Sequence, residues 1–506
     1  MTETGEAQHV IEARREKIRR LAELGIEPYA YGYEPSCSTE GAIRDFLTMG
    51  EQTTVACRLA GRVRSLRPHG KTTFAHLEDR AGKIQVYFRK DDLGEARYQL
   101  VEMLDLGDWV CVEGSVFRTR TGEITLKASD LQLLAKTVRP LPYAKEETDE
   151  SGELIVHGGF ADVESRYRQR YADLAVHPDV RSLFVTRSRA VQEIRRFLDD
   201  RGFLHVETPI LQPIYGGAMA QPFKTHHRAL DIELYLRIAD ELYLKRLVVG
   251  GLERVYEIGK VFRNEGIDRT HNPEFSMLEL YQAYTDYEGM MELTEALVHH
   301  VVTEVSGSSV LTYQGQELDF RPPWPRLSWY QALEKYGSFD FSLAELDDDA
   351  LRALAVEASV EDADDKGHAA LLDGLFKVLV EDHLVGPIII YDYPVELSPL
   401  AKHKRGGDST LTERFEVYVG GHELANAFSE LNDPFEQRER FESQVRMRDE
   451  EGWVEAHQVD EDYIAALEYG LPPTGGMGMG IDRLIMILTD RASIREVILF
   501  PTLRPE

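Results

Sequence analysis

Three stretches of this sequence gather residue types that could act on a charged, phosphorylated ligand. In residues 254–284 a strand-like run, Val255-Tyr256-Glu257-Ile258, continues to Phe262-Arg263-Asn264-Glu265. A loop with Gly266, His271, Asn272 and Pro273 follows, and a second strand pattern runs from Glu274 to Tyr284. The two strands should be antiparallel neighbours. A period of two puts Arg263 and Glu265 on one face, and Phe275, Glu279 and Tyr281 on one face of the return strand. A buried stripe of one arginine, two carboxylates and aromatics is costly unless a ligand satisfies it. A structural ion-pair ladder is the competing reading.

The second stretch, residues 411–432, has Gly420-Gly421 between two strand-like runs, a two-residue hairpin signal. In that register Tyr418 opposes Glu423 and Glu416 opposes Ala425, which makes Glu416 and Glu423 diagonal neighbours ~7–8 Å apart, able to reach one cation. Oxygen-only ligands suit Mg²⁺ held jointly with substrate phosphates. A solvent-facing Glu416 is the alternative. Asn426, Phe428 and Glu430 alternate onto one face. The third stretch runs from Gly475-Gly476-Met477-Gly478-Met479-Gly480 to Ile481-Asp482-Arg483, then Leu484-Ile485-Met486-Ile487. Glycines let the backbone approach closely, and a helix starting there carries Arg483 in its first turn, where a cation can sit over an adenine or grip a phosphate. Familiar phosphate devices are missing: Gly70-Lys71-Thr72 lacks the first P-loop glycine (position 65 is Ser), no G-x-G-x-x-G follows a strand, and no H-E-x-x-H occurs.

The elements that must position these residues follow from periodicity. Residues 8–24 read as a helix whose other face carries Arg14, Arg15, Lys17, Arg19 and Arg20, either a solvated surface or an RNA-backbone contact. Residues 55–145 hold 16 Lys/Arg against 11 Asp/Glu, a net of +5. Strand patterns at 55–66, 72–77 and 83–89, a helix at 95–103, and strands at 108–118 and 123–134 give the order of a five-stranded OB barrel. Ile84, Val86 and Phe88 alternate with Gln85, Tyr87 and Arg89, so Gln85 faces outward; if Ala75 and Leu77 face inward, Phe74 is displayed beside it. An outward ring and amide suit stacking and edge bonding with single-stranded RNA, although Phe74 in the core is an open alternative. Pro140-Leu141-Pro142 and the polar run after it mark a linker. Beyond residue 160 helices alternate with antiparallel-looking strands; Val191, Ile194, Phe197 and Leu198 form one helix face, closed by Gly202. Residues 345–365, with nine acids and one base, read as an acidic, solvated helical insertion.

The 506 residues are 29% charged and 43% hydrophobic, a soluble balance with room for about three domains. With 58 Lys/Arg and 88 Asp/Glu the formal charge is −30, against a chain held everywhere by nucleic-acid phosphates but compatible with a local basic face. Such acidity also suits a salty cytoplasm. Cys37, Cys57 and Cys111 make neither a disulfide framework nor a thiolate zinc site, no apolar run reaches ~18 residues, and the first twenty residues do not read as a secretory signal. A soluble cytoplasmic protein without membrane contact is expected.

Together the segments resemble the three signature motifs of class II aminoacyl-tRNA synthetases: Gly202-Phe203 to Val206-Glu207-Thr208-Pro209, Phe262-Arg263-Asn264-Glu265 to Phe275, and Gly476 to Arg483. Within that class the chain resembles the bacterial lysyl-tRNA synthetase family. The likeness is carried by Gly216-Gly217-Ala218, Glu241-Leu242-Tyr243-Leu244-Lys245-Arg246-Leu247, His271-Asn272-Pro273-Glu274-Phe275, Tyr391-Asp392-Tyr393-Pro394-Val395-Glu396 and Asn426-Ala427-Phe428-Ser429-Glu430-Leu431-Asn432-Asp433. Gln221, where that family commonly has a basic residue, and Met479, where a smaller or β-branched residue is expected, depart from the pattern.

The resemblance implies an α+β chain with these parts: an N-terminal helical extension (1–54), an OB-fold anticodon-binding barrel (55–145), a linker (146–160), and a class II catalytic domain (161–506) on an antiparallel sheet flanked by helices, with the acidic insertion at about 335–385. It implies ligation of L-lysine to tRNA(Lys) through a lysyl-adenylate, with ATP and Mg²⁺. Arg263 and Asn426 would hold the α-carboxylate, and Glu241 with the Gly216 backbone the α-ammonium. Glu279, Tyr281 and Glu430 would surround the ε-ammonium, with Phe428 in the same pocket. Phe275 and Arg483 would sandwich adenine, with Glu265 at its amino group, and His271 would contact the γ-phosphate, with Asn272 beside it. Glu416 and Glu423 would hold Mg²⁺, with Glu423 also on the ATP side; Arg263 and Arg483 would be catalytic. Phe74, Gln85 and Glu123 would read the central anticodon uridine, and Pro209 would lie at a homodimer interface. The related aspartyl and asparaginyl enzymes recognise side chains without an ammonium, which so many carboxylates would not favour.

Overall fold

Alternation with a period of two closes a barrel in the first part of the chain. The computed structural model describes residues 5–50, 55–143, 145–148, 154–157, 159–337, 347–406, 409–451 and 459–505. They fall into two compact units, Met1–Asp162 and Val163–Glu506.

The first unit begins with helices α1 (Gly5–Glu23) and α2 (Thr39–Met49). Strands β1 (Val55–His69), β2 (Thr72–Glu78) and β3 (Lys83–Arg89), helix α3 (Lys90–Met103), and strands β4 (Trp109–Arg118) and β5 (Ile124–Ala135) follow. The strands close in the order β1-β2-β3-β5-β4, the expected OB arrangement. Inward Ala75, Leu77, Ile84, Val86 and Phe88 are buried with Val112 and Leu126, and Leu21 of α1 and Phe46 of α2 share that core. Helix α1 is not simply a solvated basic surface: Arg14 is buried, donating to the carbonyls of Leu106 and Thr137, and Lys17 pairs with Asp105 at 2.7 Å. Within the stretch expected to be a linker, Lys145–Thr148 and Leu154–His157 pair as antiparallel strands; residues 149–153 and 158 lie outside the described set.

In the second unit, α4 (Pro178–Asp199) leads to the short strand β6 (Leu204–His205), then α5 (Glu241–Val249), β7 (Arg254–Phe262), β8 (Glu274–Ala283) and α6 (Tyr287–Ser306). Strands β9 (Arg326–Ser328), β10 (Ile388–Pro394), β11 (Leu411–Val419) and β12 (His422–Ser429) come next, then α7 (Glu461–Glu468), β13 (Thr474–Gly480) and α8 (Ile481–Leu488). The eight strands order as β9-β10-β11-β12-β13-β8-β7-β6. The sheet is antiparallel through its centre but parallel at both edges, β9 with β10 and β6 with β7, because a long crossover and not a hairpin joins each edge strand to its neighbour. On one face Leu278, Leu280, Val417, Val419, Met477 and Met479 pack against α4, α6 and α8. Met479 therefore fills core space away from the other face, which accommodates its departure from the motif. The acidic insertion is more than solvated surface: Leu351, Ala355, Leu375 and Phe376 build a separate core around Trp329, while residues 338–346 lie outside the described set.

Candidate active site

The second face of the sheet is set by strand register. Glu416 pairs with Asn426, Asn426 with Gly478, and Gly478 with Glu279; one step along, Arg414, Phe428, Gly476 and Tyr281 align. The hairpin expectation is half right. Tyr418 does oppose Glu423, but Glu416 opposes Asn426 and not Ala425, because the register shifts between Val417 and Tyr418. The extra residue is Leu424, and Leu424 and Ala425 both enter the helix-side core, as a β-bulge requires. Without that bulge Glu423 and Asn426 would point to opposite faces. With it, the Glu416–Glu423 pair and the Asn426–Phe428–Glu430 row join one site. Gly476 forms the floor: a Cβ there would fall 2.0 Å from the Glu430 Oε1 atom and 2.4 Å from the Tyr281 ring.

Three elements bring four buried carboxylates together. Glu241 opens α5, Glu279 lies mid-β8, Glu430 follows β12, and Asp240 precedes α5; all are buried. Gly217, at φ +85°, lets the loop of Gly216 seat close to Glu241: a side chain at Gly217 would meet the Glu241 Cβ at 3.1 Å. Glu279 accepts from the Tyr281 hydroxyl at 3.0 Å and from the Asp240 backbone N–H at 3.1 Å. Burial, and next the Glu241 charge, push its carboxyl up to about 7. Burial and then Glu279 push Asp240 up to about 9, against the pull of Arg237. Burial raises Glu241 and drives Glu430 well up, and Lys245, which pairs with both, opposes each shift. One Glu430 oxygen contacts the Lys245 ammonium and the other, Oε1, is buried without a hydrogen-bond partner, so acceptor capacity remains.

Arg263 sits just past β7, which ends at Phe262, so it and Glu265 belong to the loop rather than to a strand face. Its backbone N–H donates to the Pro273 carbonyl, and its guanidinium lies 5.2 Å from the Phe275 ring centroid. Burial pulls Arg263 down, opposed by Glu265, Glu423 and Glu279 and reinforced by Arg483, so these residues share one electrostatic neighbourhood. The Arg263 Nε atom is buried without a partner. Arg483, in the first turn of α8, donates to the Glu423 carbonyl at 2.6 Å and lies 3.5 Å from its carboxylate. His271 is exposed and pairs with Asp268 at 2.8 Å; the Asn272 amide is engaged with Glu274 and Thr502 backbone. The Gln221 carbonyl accepts from the Asn264 N–H, which needs no basic side chain.

Glu416 is not solvent-facing. It is buried, paired with Arg414, and accepts from the Tyr393 and Tyr418 hydroxyls at 2.9 and 2.7 Å. Burial raises its carboxyl, with Glu423 as the nearby like charge. Among the described residues no three His, Cys, Asp or Glu side chains converge on a metal position. Two carboxylates on one face fit a cation completed by phosphate oxygens and water, and not a full protein cage.

The barrel carries a separate row of aromatic and polar side chains. Phe74 opposes Tyr87 with ring centroids 4.9 Å apart, and Phe117 continues the row 6.4 Å from Tyr87. Beside it Gln85 donates to Glu123 at 2.6 Å and accepts from the Thr125 hydroxyl at 2.8 Å. His76 bridges Ser65 at 2.8 Å and Glu123 at 3.1 Å. Pro209 is exposed beyond Thr208, whose N–H and hydroxyl both donate to the buried Glu257.

Sequence reasoning missed Lys245, Arg414, Tyr393, Tyr418, His76, Thr125, Tyr87 and Phe117 as site neighbours. Strict alternation along β2 already puts His76 beside Phe74, so that signal was present. Lys245 lies four residues after Glu241, a helical neighbour, but nothing local marks it as buried.

The chain matches the family model described as tRNA synthetases class II (D, K and N) over residues 162–504, and an OB-fold nucleic acid binding domain over residues 57–134. It is 53% identical over 493 residues to a lysine–tRNA ligase of Moorella thermoacetica, covering 97% of each chain. It is 52% identical over 492 residues to that of Syntrophomonas wolfei, covering 97% of this chain and 96% of the relative. To that of Carboxydothermus hydrogenoformans it is 50% identical over 500 residues, covering 99% of each.

Proposed function

The chain belongs to the lysine–tRNA ligases of the class II aminoacyl-tRNA synthetases, and from that premise we propose how its own residues carry the reaction. The enzyme joins L-lysine to tRNA(Lys) in two steps. A lysine carboxylate oxygen attacks the α-phosphorus of ATP, forming lysyl-adenylate and releasing pyrophosphate. The 3′-hydroxyl of the terminal tRNA adenosine then attacks the adenylate carbonyl, and AMP leaves. No protein nucleophile is needed; positioning and charge stabilisation suffice.

Arg263 and Asn426 hold the lysine carboxylate, with the free Nε of Arg263 as an available donor. Glu241 and the Gly216 backbone take the α-ammonium. Glu279, Tyr281 and Glu430 surround the ε-ammonium along the Phe428 side chain, where charge-assisted bonds in a dry pocket are strong. Phe275 and Arg483 enclose adenine, Glu265 accepts from its amino group, and His271 meets the γ-phosphate, with Asn272 bracing that loop. Glu416 and Glu423 are the residues that would hold Mg²⁺, which when bound neutralises phosphate charge. Phe74 stacks on the central anticodon base, and Gln85 and Glu123 read its edge. Pro209 lies on the surface through which two chains pair. Consistent with a cytoplasmic enzyme, no described helix is long and apolar enough to cross a membrane.

The observation that carries this reading is the set of three buried carboxylates, Glu241, Glu279 and Glu430, beside an arginine with an unpartnered donor. The test is ATP–pyrophosphate exchange with each standard amino acid in turn, with Mg²⁺ and without tRNA. Lysine alone should drive exchange, and Arg263→Ala should abolish it. Exchange with aspartate or asparagine would overturn the pocket assignment.

A further inference from the structure

One cation in the pocket has no part in the reading above. Lys245, one turn along α5 from Glu241, has a side chain that is 0% exposed, an uncommon place for a lysine unless it is paired. Its ammonium contacts the carboxylates of both Glu241 and Glu430. The Phe428 and Tyr281 ring centroids lie 5.3 and 5.8 Å away. Its partners are thus the residues assigned to both ends of the substrate: Glu241 at the α-ammonium, and Glu430 and Tyr281 at the ε-ammonium. The groups facing it are Glu241 from its own helix, Tyr281 from β8, Glu430 beyond β12, and Tyr463 from α7, with Glu279 acting on Glu430.

The charges balance with Lys245 and fail without it. Asp240 is matched by Arg237, 3.0 Å away; Glu241, Glu279 and Glu430 are opposed by Arg263 and Lys245, which leaves one net negative charge with these groups ionised, and lysine brings one net positive charge. Without Lys245, three buried carboxylates would crowd one pocket, and like charges in a dry site do not all ionise. One carboxyl would take up a proton and become a weak partner for an ammonium. A purely structural ion pair would also leave its members saturated, whereas Glu430 Oε1 is buried without a hydrogen-bond partner.

Resting on the lysine-pocket reading above, we propose that Lys245 is a resident counter-cation: a positioning residue that favours the ionised forms of Glu241 and Glu430 and aligns them for the two ammonium groups of the incoming lysine. It sets how many positive charges the amino acid must supply, and so contributes to the choice of lysine over neutral and acidic amino acids.

The test is Lys245→Met, a charge deletion of similar length, in lysine-dependent ATP–pyrophosphate exchange across neutral to mildly alkaline pH. The KM for lysine should rise at least ~tenfold at neutral pH, the equivalent of one unit of pKa, and fall back as pH rises and the carboxyls re-ionise. The KM for ATP should stay within about twofold, less than the tenfold step that one unit of pKa represents. Lys245→Arg should restore part of the lysine affinity. Equal losses for lysine and ATP with no pH recovery would make Lys245 structural and overturn the proposal, as would an unchanged lysine KM. If Lys245→Met fails to fold, Lys245→Met with Glu430→Gln removes the pair together, a replacement buried pairs tolerate. That double variant should fold and bind ATP with a raised lysine KM that no longer recovers with pH, and a wild-type lysine KM there would refute the proposal. A folded, ATP-binding wild-type protein without lysine-dependent exchange would instead overturn the pocket reading itself, and with it this inference.

Discussion

Glu123 on the barrel and Glu430 in the sheet unit are both carboxylates at a proposed recognition surface, but Glu123 is 47% exposed as a side chain and Glu430 0%. The barrel surrounds its carboxylate with a hydroxyl-capped imidazole and an amide, Ser65, His76 and Gln85. The sheet unit surrounds its own with two more carboxylates, an ammonium and aromatic rings. A partly solvated hydrogen bond exchanges with water and is worth about 0.5–1.5 kcal/mol net. A buried charge with a partner removed leaves the full desolvation penalty, about 3–5 kcal/mol. The same residue type therefore gives graded readout on the barrel and near all-or-none selection in the pocket. That division suits a polymer touched at many points against a small molecule touched at few.

The widest gap between the two regions should appear with Glu430→Gln. It removes the ε-ammonium partner and leaves Lys245 paired with Glu241 alone, so kcat/KM for lysine in pyrophosphate exchange should fall by about 10² to 10³-fold. A fall of only a few-fold would mean that water reaches the pocket and that the contrast with the barrel is false. Gly476→Ala probes the same site through shape. The new methyl would lie 2.0 Å from Glu430 and 2.4 Å from Tyr281, and such overpacking costs about 1–3 kcal/mol. The lysine KM should rise by roughly ten-fold to a hundredfold, with a lower thermal midpoint by calorimetry. An unchanged KM would show that the floor relaxes.

pH sharpens the comparison without any mutation. Glu279 is pushed up to about 7 by burial and by Glu241, and only its ionised form can hold an ammonium ion. Below that value protonation should remove the site, so kcat/KM for lysine should climb about tenfold per pH unit up to about 7 and flatten above it. The profile is measured by exchange at fixed ionic strength. A flat profile from pH 6 to 8 would place Glu279 outside lysine binding. Glu279→Gln, which removes the titrating group, should abolish the rise.

How far the sequence exposes each region follows from how local its signal is. The barrel is legible because Ile84, Val86 and Phe88 alternate with Gln85, Tyr87 and Arg89, which marks the core row; display is read less well, since Gln85, expected to face outward, is buried through its bonds to Glu123 and Thr125. The sheet face is legible for Glu279 and Tyr281 for the same reason. It fails at Leu424, where one inserted residue moves Glu423 onto the face of Asn426, and no residue type there announces a bulge. Lys245 is silent for a different reason: its burial is decided by β8, β12 and α7, which are distant in sequence. Arg14 is misread likewise, since a basic helix face looks solvated until Leu106 and Thr137 arrive to accept its bonds.

The smallest expected effect lies on the barrel. His76 touches Ser65 through Nδ1 and Glu123 through Nε2. In the tautomer that satisfies both, Ser65 donates to Nδ1 and the Nε2–H donates to Glu123, an assignment made from the network. Glu123 in turn fixes the Gln85 amide, whose oxygen already accepts from Thr125. That chain leaves Gln85 one N–H and one lone pair for a base edge. Replacing His76 by alanine removes one neutral link, so Glu123 should swing and Gln85 lose orientation. The KM for tRNA in aminoacylation should rise by about two- to tenfold, for a loss of about 0.5–1.5 kcal/mol. The defect should be visible in charging and not in tRNA-independent exchange, because the relay belongs to the barrel. His76→Gln, which can donate to Glu123 from a similar distance, should recover part of it. A loss as large as that of Glu430→Gln would mean that the barrel also works with a desolvated charge when RNA covers it, and the contrast between the two carboxylates would then vanish in the complex.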